Sequence, residues 1–208
     1  EQYGVFQVLA PRTAMAVAAG AALGVAGALL QSYLGNPLAR PDLLGISGGS
    51  GFAAVFTILA LGTTGPVLAL SAFVGGAVVA IILMIAGRAL RDGGFRLILA
   101  GIGISFLTAS AIDFLMVRAK VEEARTALLW LTGSLSSTPW WQVLTVLAVL
   151  IASIPALVAA ARWLPITQLG PETASGLGVR SERVRWVIVG AAVLLTADDA
   201  AVFDQAGI

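Results

Sequence analysis

Residues 35–51 read Gly35-Asn36-Pro37-Leu38-Ala39-Arg40-Pro41-Asp42-Leu43-Leu44-Gly45-Ile46-Ser47-Gly48-Gly49-Ser50-Gly51. The stretch opens where one long apolar run stops and closes inside the next. Gly-Asn-Pro ends a helix: glycine and asparagine accept the left-handed backbone of a C-terminal cap, and proline cannot continue the helix. Beyond Pro41 and Gly45, glycine and serine alternate with apolar residues. That composition suits a helix approached closely by another backbone. The glycines resemble a phosphate-cradling loop only weakly. No Gly-Lys-Ser/Thr ending follows, so nucleotide binding of the Walker type is not expected. On the residues alone, a turn leading into a close-packed helix accounts for the whole stretch.

Working outward, six apolar runs stand along the chain. They cover about Thr13 to Leu34, Leu43 to Leu61, Val67 to Ala86, Leu97 to Val117 and Trp140 to Ala161, with a sixth starting near Val184 and interrupted at Asp198. Each of the first five is near the roughly 20 apolar residues that cross a bilayer as a helix. Gly62-Thr63-Thr64-Gly65-Pro66 reads as a tight turn, Gly93-Gly94 as a break, and Pro165 with Gly170-Pro171 as the end of the fifth run. Val121 to Leu131, with Glu122, Glu123 and Arg125, reads as a short amphipathic surface helix.

Composition agrees. Hydrophobic residues make up 59% of the 208 and charged residues only 11%, with a mean hydropathy of +0.97. A water-soluble domain carries about 25% charged residues, so lipid must be part of the solvent. The expectation is an all-α, polytopic transmembrane bundle forming one domain over residues 1–208. Cysteine and histidine are both absent. That removes disulfides, thiolate or imidazole metal sites and Cys/His catalysis. No catalytic residue, metal site or cofactor is expected. No basic, aromatic-interleaved patch suggests nucleic acid. Glu1 opens the chain with no basic stretch before the first apolar run, so a signal peptide is not expected.

The cations are unevenly placed. Arg40, Arg88, Arg91, Arg96, Arg162, Arg180, Arg183 and Arg185 follow the first, third and fifth runs, while Arg12, Arg118, Lys120 and Arg125 fall on the other side. The positive-inside rule puts the first set in the cytoplasm. The N-terminus is then outside, and a preceding span is expected. Trp130, Trp140, Trp141 and Trp163 stand near run ends, as interfacial rings do. Gly20, Gly24 and Gly27 in the first run, Gly48, Gly49 and Gly51 in the second, and Gly101 and Gly103 in the fourth read as helix-packing positions. Asp113 lies inside the fourth run. An intramembrane acid suggests function, but Arg118 follows within the next turn or two, and a solvated or paired acid near the helix end is the preferred reading.

Five motifs, in order, carry a likeness. The opening stretch resembles an "NPLA-P-LLG-S-GA" signature through Asn36, Pro37, Leu38, Ala39, Pro41, Gly45, Ser47 and Gly48. Pro11-Arg12-Thr13 is similar to "RLPRT", and Arg96 to Gly101 to "RLLLAG". Trp130 to Ser134 is similar to "WLLGS", and Leu169 to Val179 to "LGEEtArsLGV". Together they resemble the FecCD/BtuC-type permeases of bacterial ATP-binding-cassette importers for iron-siderophores, haem and vitamin B12. The resemblance implies a homodimer of ten-span subunits around a central pathway in the cytoplasmic (inner) membrane, the second permease subunit being a copy of the first. Two cytoplasmic ATPase subunits and a periplasmic or lipid-anchored substrate-binding protein would complete the assembly. Gly170, Pro171, Glu172, Ala174, Leu177 and Gly178 would form the loop that couples to the ATPase. Pro171-Glu172 also reads directly as a helix start, with an acid complementing the dipole, and an ordinary interfacial helix stays open there. Arg12 would dock the binding protein. Leu9 stands where the family has a first arginine, and a helix-end charge reaching the headgroups is the equal alternative.

The likeness fails at the ends. The family's first span and last three have no counterpart, and residues 197–208 do not continue its pattern. Asp198 and Asp199 would each cost about 2.5–3.5 kcal/mol in mid-span, so this tail reads as foreign to an incomplete chain. The leading expectation is a permease subunit moving an iron-siderophore, with haem or cobalamin as alternatives, and with ATP hydrolysis in a partner. A secondary transporter or channel, or a nonfunctional truncated permease, is the alternative. An intramembrane enzyme lacks its nucleophile and base.

Overall fold

The computed structural model describes residues 6, 9–37, 39–40, 42–63, 65–89, 94–133, 138–168, 176, 184, 186–192 and 195–196. Every regular element among them is helical. Six helices have defined bounds: α1 (Ala10–Leu34), α2 (Ile46–Leu61), α3 (Pro66–Ala89), α4 (Gly94–Arg118), α5 (Val121–Thr132) and α6 (Trp140–Gln168). Further helical positions lie at 184, 186–192 and 195–196. The all-helical, membrane-spanning architecture expected from the sequence is the one observed.

The stops are local. Proline stands in the first turn of α1, where its missing N–H costs nothing. Gly35, at φ 59°, caps the other end, its N–H donating to the Gln31 carbonyl. The Asn36 N–H donates to the same carbonyl at 3.1 Å. This is the stop read from Gly-Asn-Pro. α5 matches the amphipathic segment almost residue for residue. Its start is fixed by Glu123, whose carboxylate accepts the Lys120 backbone N–H at 3.4 Å and pairs with its ammonium at 3.6 Å.

The second helix starts just past Gly45, as its sequence suggested: residues 42–45 form a turn in which the Gly45 N–H donates to the Asp42 carbonyl at 3.0 Å, and α2 begins at Ile46. Two expectations need correction. First, Pro165 does not end the fifth run: α6 passes through both Pro155 and Pro165 to Gln168. Each proline removes one backbone hydrogen bond, a loss that transmembrane helices absorb by local adjustment and neighbouring groups. Second, Gly20, Gly24, Gly27 and Gly103 are not at close helix contacts among the described residues, for nothing there outside their own helix lies within 4 Å of a Cβ built on any of them.

Among the described residues, four helices have the length and apolar character to cross a membrane: Ala10–Leu34, Pro66–Ala86, Leu97–Arg118 and Trp140–Ile166. α2, with 16 residues, is shorter. It is also the hub, packing on α3, α4 and α5, while α1 packs on α6 and α3 on α4. Its Ile46, Gly49, Ser50, Gly51, Ala54, Val55, Thr57 and Ile58 are buried. Glycines make the crossings possible. A Cβ on Gly75 of α3 would collide with the carbonyl oxygen of Gly49, and one on Gly76 would stand 2.5 Å from the Ser50 hydroxyl. Outward-facing Val17, Leu70, Ile85 and Ile151 remain exposed, as helices solvated by lipid require.

Candidate functional site

The loop from Asn36 to Gly48 is built as a clamp. The Ala39 N–H donates to the Asn36 carbonyl at 3.1 Å, turning the chain back toward the bundle. Ala39 is 1% exposed and enters the main core with Ala22, Ala26 and Leu30 of α1, Leu44, Ile46 of α2, and Val79, Ala80 and Leu83 of α3. So the turn is held by packing as well as by its backbone.

Asp42 then ties two helices together. Its carboxylate accepts the Ser47 hydroxyl at 2.6 Å, and its carbonyl accepts the Ser105 hydroxyl of α4 at 3.1 Å. The Ser47 bond involves a charged acceptor, the stronger class of hydrogen bond. Gly45 stands between them at φ 73°. A Cβ there would lie 3.1 Å from Ile104 Cγ2 and 3.2 Å from both the Gly101 carbonyl oxygen and the Ser105 amide nitrogen. Gly48 faces Thr108, whose hydroxyl would be 2.5 Å from an added Cβ, and Gly101 faces the Leu44 Cα at 2.7 Å. The consequence is a single rigid joint of loop, α2 start and α4.

Beside the joint, a half-open groove of about 360 Å³ runs along α1, with Gly24, Gly27 and Gln31 on one wall and Arg40 and Asp42 at the lip. Arg40 is exposed. The groove presents no nucleophile with a base beside it, and among the described residues no group of three or more His, Cys, Asp or Glu could hold a metal.

The expected site residues do not converge. Asn36, Pro37, Ala39, Gly45, Ser47 and Gly48 come together in the joint, while Leu38 and Pro41 lie outside the described residues. Arg12 is half-buried in the first turn of α1, more than 20 residues and therefore about 35 Å of helix from the joint. Near that other end, the Trp140 indole N–H donates to the Phe6 carbonyl at 3.1 Å, joining the starts of α1 and α6. Gly170, Pro171, Glu172, Ala174, Leu177 and Gly178 lie outside the described residues; within that loop only Gly176 is described, exposed and helical. Asp42, Ser105 and Thr108 were not anticipated as parts of the joint. Their one sequence signal is the spacing Gly101, Ser105, Thr108, which lays a small and two hydroxyl residues on one face of α4.

Known proteins resemble this chain in sequence and in fold. The profile of the FecCD transport family matches residues 1–203. The Fe(3+)-citrate import system permease protein YfmE of Bacillus subtilis is 35% identical over 207 residues, covering 99% of this chain and 62% of the relative. The ferric enterobactin transport system permease protein FepG of Escherichia coli is 36% identical, covering 90% and 57%. The vitamin B12 import system permease protein BtuC of Vibrio cholerae is 34% identical, covering 94% and 59%. The chain thus spans about three-fifths of the length of these curated relatives. Among solved structures, a metal-chelate type ABC transporter in an inward-facing conformation superposes with a TM-score of 0.87. It has 26% sequence identity and covers 97% of this chain and 64% of its own.

Proposed function

The chain belongs to the FecCD transport family, and from that premise we propose that it forms part of the permease of an ATP-driven importer for an iron chelate in the cytoplasmic membrane. The observation that carries the reading is the joint at Asn36–Gly48. It welds a cytoplasmic turn to α2 and α4, so that a push on the loop side moves two helices as one body. An importer driven from a separate ATPase needs such a stiff connection, because small displacements at a docking site must reach the membrane interior. ATP hydrolysis then belongs to a partner, and the permease supplies a path with alternating access.

Within this reading, residues 170–178 seat on the ATPase, Arg12 meets an acidic surface of a substrate-binding protein, and a second permease subunit completes the path. The relatives named above for ferric citrate and ferric enterobactin favour an iron chelate over a cobalamin. Reconstitution tests the whole. Uptake of radiolabelled ferric chelate into vesicles is expected to need ATP, the ATPase and the binding protein together, and uptake driven by an ion gradient alone would overturn it. Replacing Glu172 and Leu177 together by alanine is expected to abolish co-purification of the ATPase; unchanged recovery would remove residues 170–178 from the docking role. Arg12→Glu is expected to weaken binding-protein affinity about tenfold at low salt and less at high salt.

A further inference from the structure

Among the described residues, α4 turns one face to α2 and α3 and leaves the other uncovered. On the uncovered face Phe106 is 72% exposed, Phe114 57% and Val117 87%. Such residues suit lipid. Ser110 and Asp113, which share the face at helical spacing, are exposed as well and do not suit it. The Asp113 carboxylate makes no hydrogen bond or ion pair among the described residues. Nor does the next cation answer it. Arg118 lies five residues on, about 7.5 Å along the axis, with its guanidinium carbon 4.5 Å from the centre of the Phe114 ring.

A bare carboxylate inside an apolar span is tolerated where it meets water or a partner, not hydrocarbon. We propose that the Ser110–Asp113 face of α4 borders the water-filled path of the assembled permease, and that the Asp113 carboxylate favours neutral or cationic metal chelates over anionic ones. The inference rests on the importer reading and names the charge class of its substrate. The physics is Coulombic. A fixed negative charge in a narrow passage with low-dielectric walls repels a passing anion more strongly than it would in bulk water. Ser110, one turn away, adds a hydroxyl that can donate to or accept from a chelate's amide and hydroxamate groups.

The absence of cysteine from the chain makes the first test clean. Single cysteines at Ser110, Asp113, Glu122 on exposed α5 and Ile151 on the outer surface of α6 are introduced one at a time. Intact cells are then treated with a membrane-impermeant thiol reagent. Cysteines at 110 and 113 are expected to react within about tenfold of the one at 122, and the one at 151 about a hundredfold slower, because the reactive thiolate does not form in lipid. A cysteine at 113 as slow as the one at 151 would overturn the wet face. For charge selection, vesicles containing the permease with its ATPase and binding protein take up a neutral ferric trihydroxamate or the same chelate bearing an added carboxylate. Asp113→Asn is expected to shift the uptake ratio toward the anionic chelate by about fivefold, and Asp113→Lys further. An unchanged ratio in both variants would overturn the selectivity. If the unsubstituted protein shows no ATP-dependent uptake of either chelate, the importer reading fails. The labelling needs neither ATP nor chelate and still decides whether the face is wet.

Discussion

At the crossing of α2 and α3, Gly49 and Gly75 let two backbones meet so closely that a Cβ on either residue would collide with its neighbour. On α1, Gly20, Gly24 and Gly27 recur at helical spacing, yet among the described residues a Cβ on any of them would touch nothing of another helix within 4 Å. The two sets look alike in sequence and behave differently in the fold. Lipid is as apolar as a leucine side chain, so helices in a membrane gain little by hiding hydrophobic surface and rely on close packing and hydrogen bonds. A glycine contributes there only when a partner helix comes near enough to use the missing side chain. The α2 glycines have such partners on two sides. Gly24 and Gly27 of α1 border the open groove instead.

The contrast can be broken by substitution. Gly75→Val is expected to have the largest effect, destabilising the bundle by about 3 kcal/mol, because the backbone carbonyl of Gly49 cannot yield as a flexible side chain would. Gly24→Val is its counterpart and is expected to stay within about 0.5 kcal/mol. Thermal unfolding of both variants in the same detergent decides the matter. Equal losses would mean that the groove side of α1 is packed as tightly as the α2 crossing. Next in size is Gly45→Ala, expected to cost about 2 kcal/mol by forcing a Cβ into the left-handed region and against Ile104 and the α4 backbone. A melting curve indistinguishable from that of the parent protein would show that the loop can leave α4 without penalty. The smallest expected loss is that of Asp42→Ala, about 1 kcal/mol for an exposed, charge-assisted hydrogen bond. Hydrogen exchange at residues 42–48 should rise while α6 stays protected, and a uniform rise along the chain would argue against a local joint.

What the sequence showed was mainly local. Gly35-Asn36-Pro37 stops α1 through its own backbone preferences, and the bounds of α5 are set locally by Lys120, Glu123 and Gly133. Six apolar runs were enough to state a membrane bundle. The joint was half legible. Its turn residues could be named, but the bond from Ser105 to Asp42 joins positions 63 apart, and no local pattern specifies which face of α4 meets the loop. Pro165 misled for a related reason. A proline removes one backbone hydrogen bond, and in a helix of 29 residues local adjustment and neighbouring groups absorb that loss. The α1 glycines could not be told from those of α2 because spacing records what a helix offers and not what comes to meet it.

The brevity of α2 has a consequence for how the protein is made. Sixteen residues reach about 24 Å, short of a hydrocarbon layer of about 30 Å. Its buried residues line both sides toward α3 and α4, which are translated after it. This helix therefore depends on later segments for its place in the bilayer and is expected to enter as a hairpin with α3, through the tight connection at Gly62–Gly65. A nascent chain stalled just after Leu61 should leave the segment extractable by alkali. One released beyond Ala89 should hold it fast, so that membrane integration of the second helix is decided by the third.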